Sequence, residues 1–187
     1  LKSARRLRGL VFPTIGVESL DLASASEMGI IVGHGAMPEN YLGLAEATVM
    51  LMLMQLYSPQ ASSDVAHRRR PRPAPDARAV WARMLQGRKV GMVGFGRIGR
   101  AIAERLSGWN VDILVSDPYV DEKTLPEGIR AAAFEYLLHE SDLVLVLVAM
   151  TPETKNIIDA RAISLMKRDA HLINVSRGKA VDEVALA

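Results

Sequence analysis

The chain has no cysteine anywhere in its 187 residues. That excludes disulfides, thiolate metal sites and cysteine nucleophiles, and no metal site is expected. An excess of one charge sign is also missing: 23 basic residues against 21 acidic give a net charge of +2, too small an imbalance to point to a polyanion partner. Long hydrophobic runs are absent too. The most apolar stretch, Ala47 to Leu56, falls well short of the roughly 20 residues that span a bilayer. It follows polar Asn40 and Glu46, so it reads as a buried helix and no membrane association is expected. The opening Leu1-Lys2-Ser3-Ala4-Arg5-Arg6 has neither the apolar core nor the cleavage site of a signal peptide, and the expected compartment is the cytoplasm. With 49% hydrophobic and 24% charged residues, the composition is that of a soluble globular protein. The length suits one good domain or parts of two.

What is present is concentrated between Lys89 and Asp117. Lys89-Val90-Gly91-Met92-Val93 reads as a short buried strand, and Gly94-Phe95-Gly96-Arg97-Ile98-Gly99 follows without a gap. Ala101, Ile102 and Leu106 continue as a helix, and Val111-Asp112-Ile113-Leu114-Val115 is a second strand that ends near Asp117. A lone G-x-G-x-x-G is weak evidence; strand, glycine turn, helix, strand and acid in that order is specific for dinucleotide binding. Gly94 makes the tight turn, Gly96 lets backbone approach a pyrophosphate, and Gly99 lets helix and strand pack closely. The helix start aims free N–H groups at the phosphates. Asp117, roughly 20 residues past the turn, is placed to accept hydrogen bonds from the adenosine ribose hydroxyls. Its carboxylate would repel a 2′-phosphate, so NAD is the expected cofactor rather than NADP.

Around this centre the chain alternates. Gly9 to Phe12 reads as a strand, Leu20 to Met28 as a helix stopped by Gly29, and Ile30 to Val32 as the next strand. Residues 33–40 are turn-rich, a long apolar helix covers about 41–57, and 58–79, with four prolines and little apolar periodicity, reads as a loop or arm. From Arg88 onward strands and helices are expected at 89–93, 97–107, 111–116, 134–139, 143–148, 159–166 and 171–175. That alternation predicts a doubly wound parallel sheet with both faces covered. The basic cluster His67-Arg68-Arg69-Arg70-Pro71-Arg72 could contact nucleic acid. It lacks interleaved aromatics and lies in a proline-rich segment, so a solvated or subunit-contacting arm is the favoured reading.

Four further segments carry a resemblance. They are Gly16-Val17-Glu18-Ser19-Leu20-Asp21-Leu22, Asn40-Tyr41-Leu42-Gly43-Leu44-Ala45-Glu46, Thr151-Pro152-Glu153-Thr154-Lys155, and Ile173-Asn174-Val175-Ser176-Arg177-Gly178 followed by Val181-Asp182-Glu183. Together with the glycine turn, in this order, the chain resembles the D-isomer-specific 2-hydroxyacid dehydrogenases. The resemblance implies a Rossmann-like NAD-binding domain over 81–187, the end of a flavodoxin-like α/β substrate domain over 1–38, and a domain-crossing helix and arm over 39–80. It implies that Arg177 faces substrate across the domain cleft. A guanidinium suits that place, because it grips carboxylate and carbonyl oxygens together and stays charged. Backbone N–H groups at Ile15 and Gly16 would receive the substrate carboxylate. Arg97 and Ile98 would meet the phosphates, and Val148, Thr151 and Val175 would line the path from adenine to nicotinamide. For Thr151, a helix-capping hydroxyl is an equally simple reading.

The family's acid–base histidine and its orienting glutamate follow the arginine, beyond Ala187, so this chain alone is expected not to transfer hydride. None of His34, His67, His139 and His171 matches that histidine. Ala47, Ala149 and Ala36 also depart from the family's usual His, Pro and Thr. The expected function of the whole protein is hydride transfer between NAD(H) and a small D-2-hydroxy or 2-keto acid such as phosphoglycerate, glycerate or glyoxylate, by a homodimer. An NAD-sensing co-repressor on the same fold is the alternative from another class, and formate or phosphite oxidation a third.

Overall fold

The computed structural model describes residues 1–187 apart from 2, 4, 5, 15, 18 and 75–81. Contacts divide the chain into two compact units, Leu1–Gly43 and Leu44–Ala187, with the border inside one long helix. In the first unit β1 (Gly9–Phe12) and β2 (Ile31–His34) pair in parallel, linked through α1 (Leu22–Glu27). Asp21 caps α1 by accepting from the Ser24 N–H at 2.9 Å and the Ser24 hydroxyl at 2.6 Å, satisfying one of the helix's orphan donors. Asn40 then ties the next helix start back to the loop, donating to the carbonyls of Gly35 and Pro13.

Helix α2 runs from Pro38 to Tyr57, three residues earlier than the apolar pattern alone indicates. Pro38 occupies its first position, where the missing N–H costs nothing. The same rule corrects the reading of 58–79 as a loop or arm throughout. Ser58 breaks the chain direction at φ 45°, and Pro59 opens α3 (Pro59–Ala66). Proline there starts a helix instead of preventing one.

The second unit is built on a five-stranded parallel sheet ordered β5-β4-β3-β6-β7, with strands Ile129–Ala131, Asp112–Ser116, Lys89–Val93, Leu143–Val146 and His171–Asn174 respectively. The unbroken apolar run of β6 is fully buried, as a strand covered on both faces must be. Strand β5 was not expected. Ile129-Arg130-Ala131 carries too little apolar sequence to announce itself, and its pairing with β4 brings it into the sheet. Arg130 crosses to both carboxylate oxygens of Asp112 at 2.9 and 2.8 Å. Both partners are partly exposed, so this bond sets register more than stability.

Helices α4 (Arg97–Arg105), α5 (Phe134–Glu140), α6 (Ala160–Leu165) and α7 (Glu183–Leu186) complete the unit. Alternation along β3 puts Gly91 and Val93 on one face and Val90 and Met92 on the other. On the Val93 side Leu114, Leu137, Leu138, Val144, Val146, Ile158 and Ala162 form a continuous buried cluster. Gly91 sits against α5 so closely that an added Cβ would lie 2.8 Å from Leu137 Cγ and nearer still to the Ser141 hydroxyl. At the N-terminal end of the sheet, Asp142 accepts from the Lys89 N–H at 2.9 Å and the Lys167 ammonium at 3.0 Å. Burial pushes its carboxyl up, but these two partners together hold it below the usual carboxylate range. Among the described residues no helix is long and apolar enough to cross a membrane.

Candidate functional site

The glycine turn, Asp117, Val148, Thr151, Val175 and Arg177 come together on one side of the second unit. Each follows the C-terminal end of a parallel strand: β3 ends at Val93, β4 at Ser116, β6 at Val146 and β7 at Asn174, and these ends are in register. From β3 the chain moves outward to β4, then returns to β6 on the other side. Ligands of open α/β sheets bind at such a switch point, outside the carboxyl ends of the strands.

The three glycines of the turn differ in what they require. Gly94 adopts φ +95°, and a Cβ there would stand 3.1–3.2 Å from the backbone of Leu147 and Val148, so both conformation and space demand glycine. Gly99 packs against the Phe95 ring, where a Cβ would come to 3.1 Å. At Gly96 a Cβ would meet nothing within 4 Å; the space in front of it is open. Gly96 caps α4 without a side-chain hydrogen bond, so the N–H groups of the first turn at Arg97 and Ile98 carry the partial positive charge of a helix start. An open cradle beside uncapped N–H groups fits a pyrophosphate. Arg97 is exposed, Ile98 half-buried.

Asp117 has a structural task that the sequence did not reveal. Its Oδ2 accepts from the Phe95 N–H at 2.7 Å and its Oδ1 from the Tyr119 N–H at 2.9 Å. The carboxylate thus braces the glycine turn against the loop after β4, while the Gly94 N–H donates to the Ser116 carbonyl at 2.9 Å. A carboxylate offers about four acceptor positions, so ribose hydroxyls can still be received. Phe95 is buried, with the Arg100 guanidinium 4.9 Å from its ring centroid.

Beyond β6, Val148 is half-buried and packs on the core cluster. Thr151 is exposed and heads a turn rather than an α-helix. The organising residue is Thr154, whose hydroxyl donates to the Ala149 carbonyl at 2.6 Å and accepts from the Thr151 N–H at 2.8 Å. The Thr154 N–H in turn lies 3.3 Å from the Thr151 hydroxyl. Thr154 belongs to the Thr151-Pro152-Glu153-Thr154-Lys155 segment, but its role depends on a loop geometry that no periodicity encodes.

Beyond β7, the Val175 N–H donates to the Val146 carbonyl at 3.3 Å. Arg177 is exposed in extended conformation (φ −137°, ψ 144°), and its Nη1 donates to the Ser176 carbonyl at 2.9 Å. The loop that carries it is held by Asn174. The Asn174 Oδ1 accepts from the Ser176 N–H at 3.0 Å and the Ser176 hydroxyl at 2.7 Å, and its Nδ2 donates to the Arg177 carbonyl at 2.8 Å.

The remaining candidates lie elsewhere. Ile15 falls outside the described residues. Gly16, in the first unit, is half-buried, and its carbonyl accepts from the Thr14 hydroxyl at 3.1 Å. His171 opens β7 at the end of the strand opposite Arg177, where burial and then Arg83 push its imidazole below the ordinary range. His139 closes α5 and His67 follows α3, so neither reaches the strand ends that carry Arg177.

Comparison with known proteins places this geometry in a family. Residues 47–187 match the model of the D-isomer specific 2-hydroxyacid dehydrogenase NAD binding domain. The chain is 33% identical over 174 residues to D-3-phosphoglycerate dehydrogenase of Bacillus subtilis, covering 92% of this chain and 32% of that protein. It is 30% identical over 195 residues to the Methanocaldococcus jannaschii enzyme of the same name, covering 100% of this chain and 35% of the relative. The chain therefore spans about a third of the length of these relatives. Among solved structures, NAD-dependent formate dehydrogenase from Staphylococcus aureus in complex with NAD superposes with TM-score 0.86 at 31% identity, over 99% of this chain and 54% of that one. D-lactate dehydrogenase from Aquifex aeolicus, complexed with NAD and lactic acid, gives 0.83 at 30% identity, over 97% and 53%. With its braced glycine turn at the sheet's switch point, the chain belongs to the D-isomer specific 2-hydroxyacid dehydrogenase family and carries that family's NAD-binding domain.

Proposed function

We propose that the protein transfers hydride between NAD(H) and a small D-2-hydroxy or 2-keto acid, with Arg177 as the substrate-gripping residue. The observation that carries this reading is the placement of Arg177 at the end of β7, on the same side of the sheet as the glycine turn and Asp117. NAD, when bound, supplies the hydride acceptor or donor. The chain's own residues do the rest. The first turn of α4 and Arg97 hold the pyrophosphate, Asp117 orients the ribose, and Val148, Thr151 and Val175 line the course toward the nicotinamide. Arg177 donates two parallel hydrogen bonds to carboxylate and C2 carbonyl oxygens, stabilising the negative charge that grows on the carbonyl oxygen. Phosphoglycerate is the first substrate to try, because both relatives named above are phosphoglycerate dehydrogenases. The test is NADH oxidation by the full-length protein with hydroxypyruvate, glyoxylate and pyruvate, and NAD reduction with D-3-phosphoglycerate, D-lactate and formate. Turnover of formate alone would sink the 2-hydroxy-acid reading.

Asp117 carries the preference for NAD in this proposal. Titrated with NADH and NADPH, the full-length protein is expected to bind NADH more tightly, because a 2′-phosphate would meet the carboxylate. Asp117→Ala should erode the discrimination. It should also weaken NADH itself by about 1.5–3 kcal/mol, the value of hydrogen bonds to a charged group. Equal or tighter NADPH binding by the unaltered protein would refute the role.

We also propose that the full-length protein is a homodimer joined through the exposed side of α2. The methionines of this helix divide. Met52 is buried, whereas Met50 and Met54 are 53% and 45% exposed beside Tyr57 at 45%. Residues two apart point to opposite sides of a helix, so Met52 belongs to the core while Met50 and Met54 share the exposed side. An exposed methionine-rich face adapts readily to an irregular partner surface. Sedimentation as a monomer at micromolar concentration would dismiss the dimer, and Met50→Glu with Met54→Glu should split it.

A further inference from the structure

We propose that Asn174 is a positioning residue that sets the direction of Arg177; this rests on the role proposed for Arg177. The side chain closes two rings at once. On one side its carbonyl oxygen receives the N–H and the hydroxyl of Ser176, and on the other its amide NH2 donates to the Arg177 carbonyl at 2.8 Å. The network fixes the amide's orientation: Ser176 presents two donors and Arg177 an acceptor, so a flipped amide would oppose donor to donor and oxygen to oxygen. The Ser176 hydroxyl proton is committed to Asn174, which makes Ser176 part of the brace.

The far side of the loop is anchored separately. The Ala180 N–H donates to the Arg177 carbonyl at 3.0 Å, the Asn156 N–H to Lys179 at 2.9 Å and the Ile158 N–H to Ala180 at 3.1 Å. Arg177 therefore sits in a short span pinned downstream by backbone and upstream by one side chain at the last position of β7. A guanidinium on a long, flexible stem can form a bidentate grip only if its Cα and the first bonds of the side chain are fixed. Asn174 fixes them from the rigid end of a strand. Aspartate cannot replace it, because a carboxylate keeps the acceptor for Ser176 but loses the donor and sets an oxygen against the Arg177 carbonyl.

The experiment is a double-mutant cycle in the full-length protein with Asn174→Ala, Arg177→Ala and the pair, and with Asn174→Asp as a near-isosteric second variant. Asn174→Ala is expected to lower kcat/KM for a 2-keto acid on the order of 100-fold, the scale of a misplaced catalytic group, with NADH affinity nearly unchanged. Asn174→Asp should fall similarly. In the Arg177→Ala background, removing Asn174 should cost almost nothing more, because groups that act through one another are not additive. A multiplicative double mutant, an unchanged kcat/KM, or a parallel loss of NADH affinity overturns the proposal. If the unaltered protein binds NADH but reduces no 2-keto acid, the activity proposed above fails by itself. The brace is then read without turnover, from trypsin cleavage at the Arg177–Gly178 bond. Faster cleavage in Asn174→Ala supports it, and an unchanged rate overturns it.

Discussion

Arg177→Lys in the full-length protein should lower kcat/KM for 2-keto acids by about 2–4 kcal/mol of transition-state stabilisation, the size that follows loss of a preorganised oxyanion donor. Lysine keeps the positive charge and much of the reach, so simple electrostatics would leave the reaction almost intact. What lysine lacks is the planar fork that engages two oxygens at once. Arg177 stands just past β7, in a loop held at Asn174 and Ala180. Cofactor affinity should be nearly unaffected, because the glycine turn and Asp117 stand at the ends of other strands. Steady-state kinetics together with NADH titration separate the two terms. A kinetically silent Arg177→Lys would mean that the substrate site lies elsewhere.

Gly91→Ala should be among the most destabilising single-methyl additions available in the second unit. Gly91 lies in the middle of β3, which pairs with both β4 and β6, so the strand cannot move aside without disturbing the whole sheet. The new Cβ would overlap the Leu137 side chain and the Ser141 hydroxyl. Ser141 has little freedom to retreat, since it is fully buried and donates to the Leu137 carbonyl at 2.6 Å. Overpacking of this kind costs roughly 1–3 kcal/mol and occasionally more, and here it also strains a buried hydrogen bond. Urea denaturation should show a lower midpoint at unchanged slope. The glycine turn would feel the change as well, because β3 delivers Gly94 to its position. An unaltered midpoint would show that α5 shifts away freely and is not clamped on β3.

The centre of the fold was legible in the sequence for a physical reason. Strand β6 and, from Val90 onward, β3 are buried on both faces, so these stretches carry no polar side chain, and the turn between β3 and α4 admits glycine for steric causes that recur wherever a dinucleotide binds. The margins were less legible. Strand β5 takes its order from its neighbour and not from its own three residues, and α3 begins at a proline that, taken without its context, signals a break. The site divides in the same way. Gly94, Gly96, Gly99 and Asp117 could be named as candidates from residue type and spacing, and Arg177 through the family resemblance. The bracing contacts of Asp117, Thr154 and Asn174 could not, because a polar side chain's partner in a loop is decided by the path of the backbone, which leaves no period behind.

The double engagement of Asp117 constrains how cofactor preference can change. The carboxylate that would read the ribose also holds the Phe95 N–H inside the glycine turn. Any substitution that simply deletes it to admit a 2′-phosphate also loosens the turn that both dinucleotides need. A switch of preference at this position alone would thus trade selectivity for a general decline in binding. Asparagine resolves half of the conflict: its amide oxygen can keep the Phe95 N–H while the charge disappears, but its NH2 then faces the Tyr119 N–H, donor against donor. An evolutionary or engineered path toward NADP would therefore pass through Asp117→Asn, with a cation added afterwards, sooner than through a small residue.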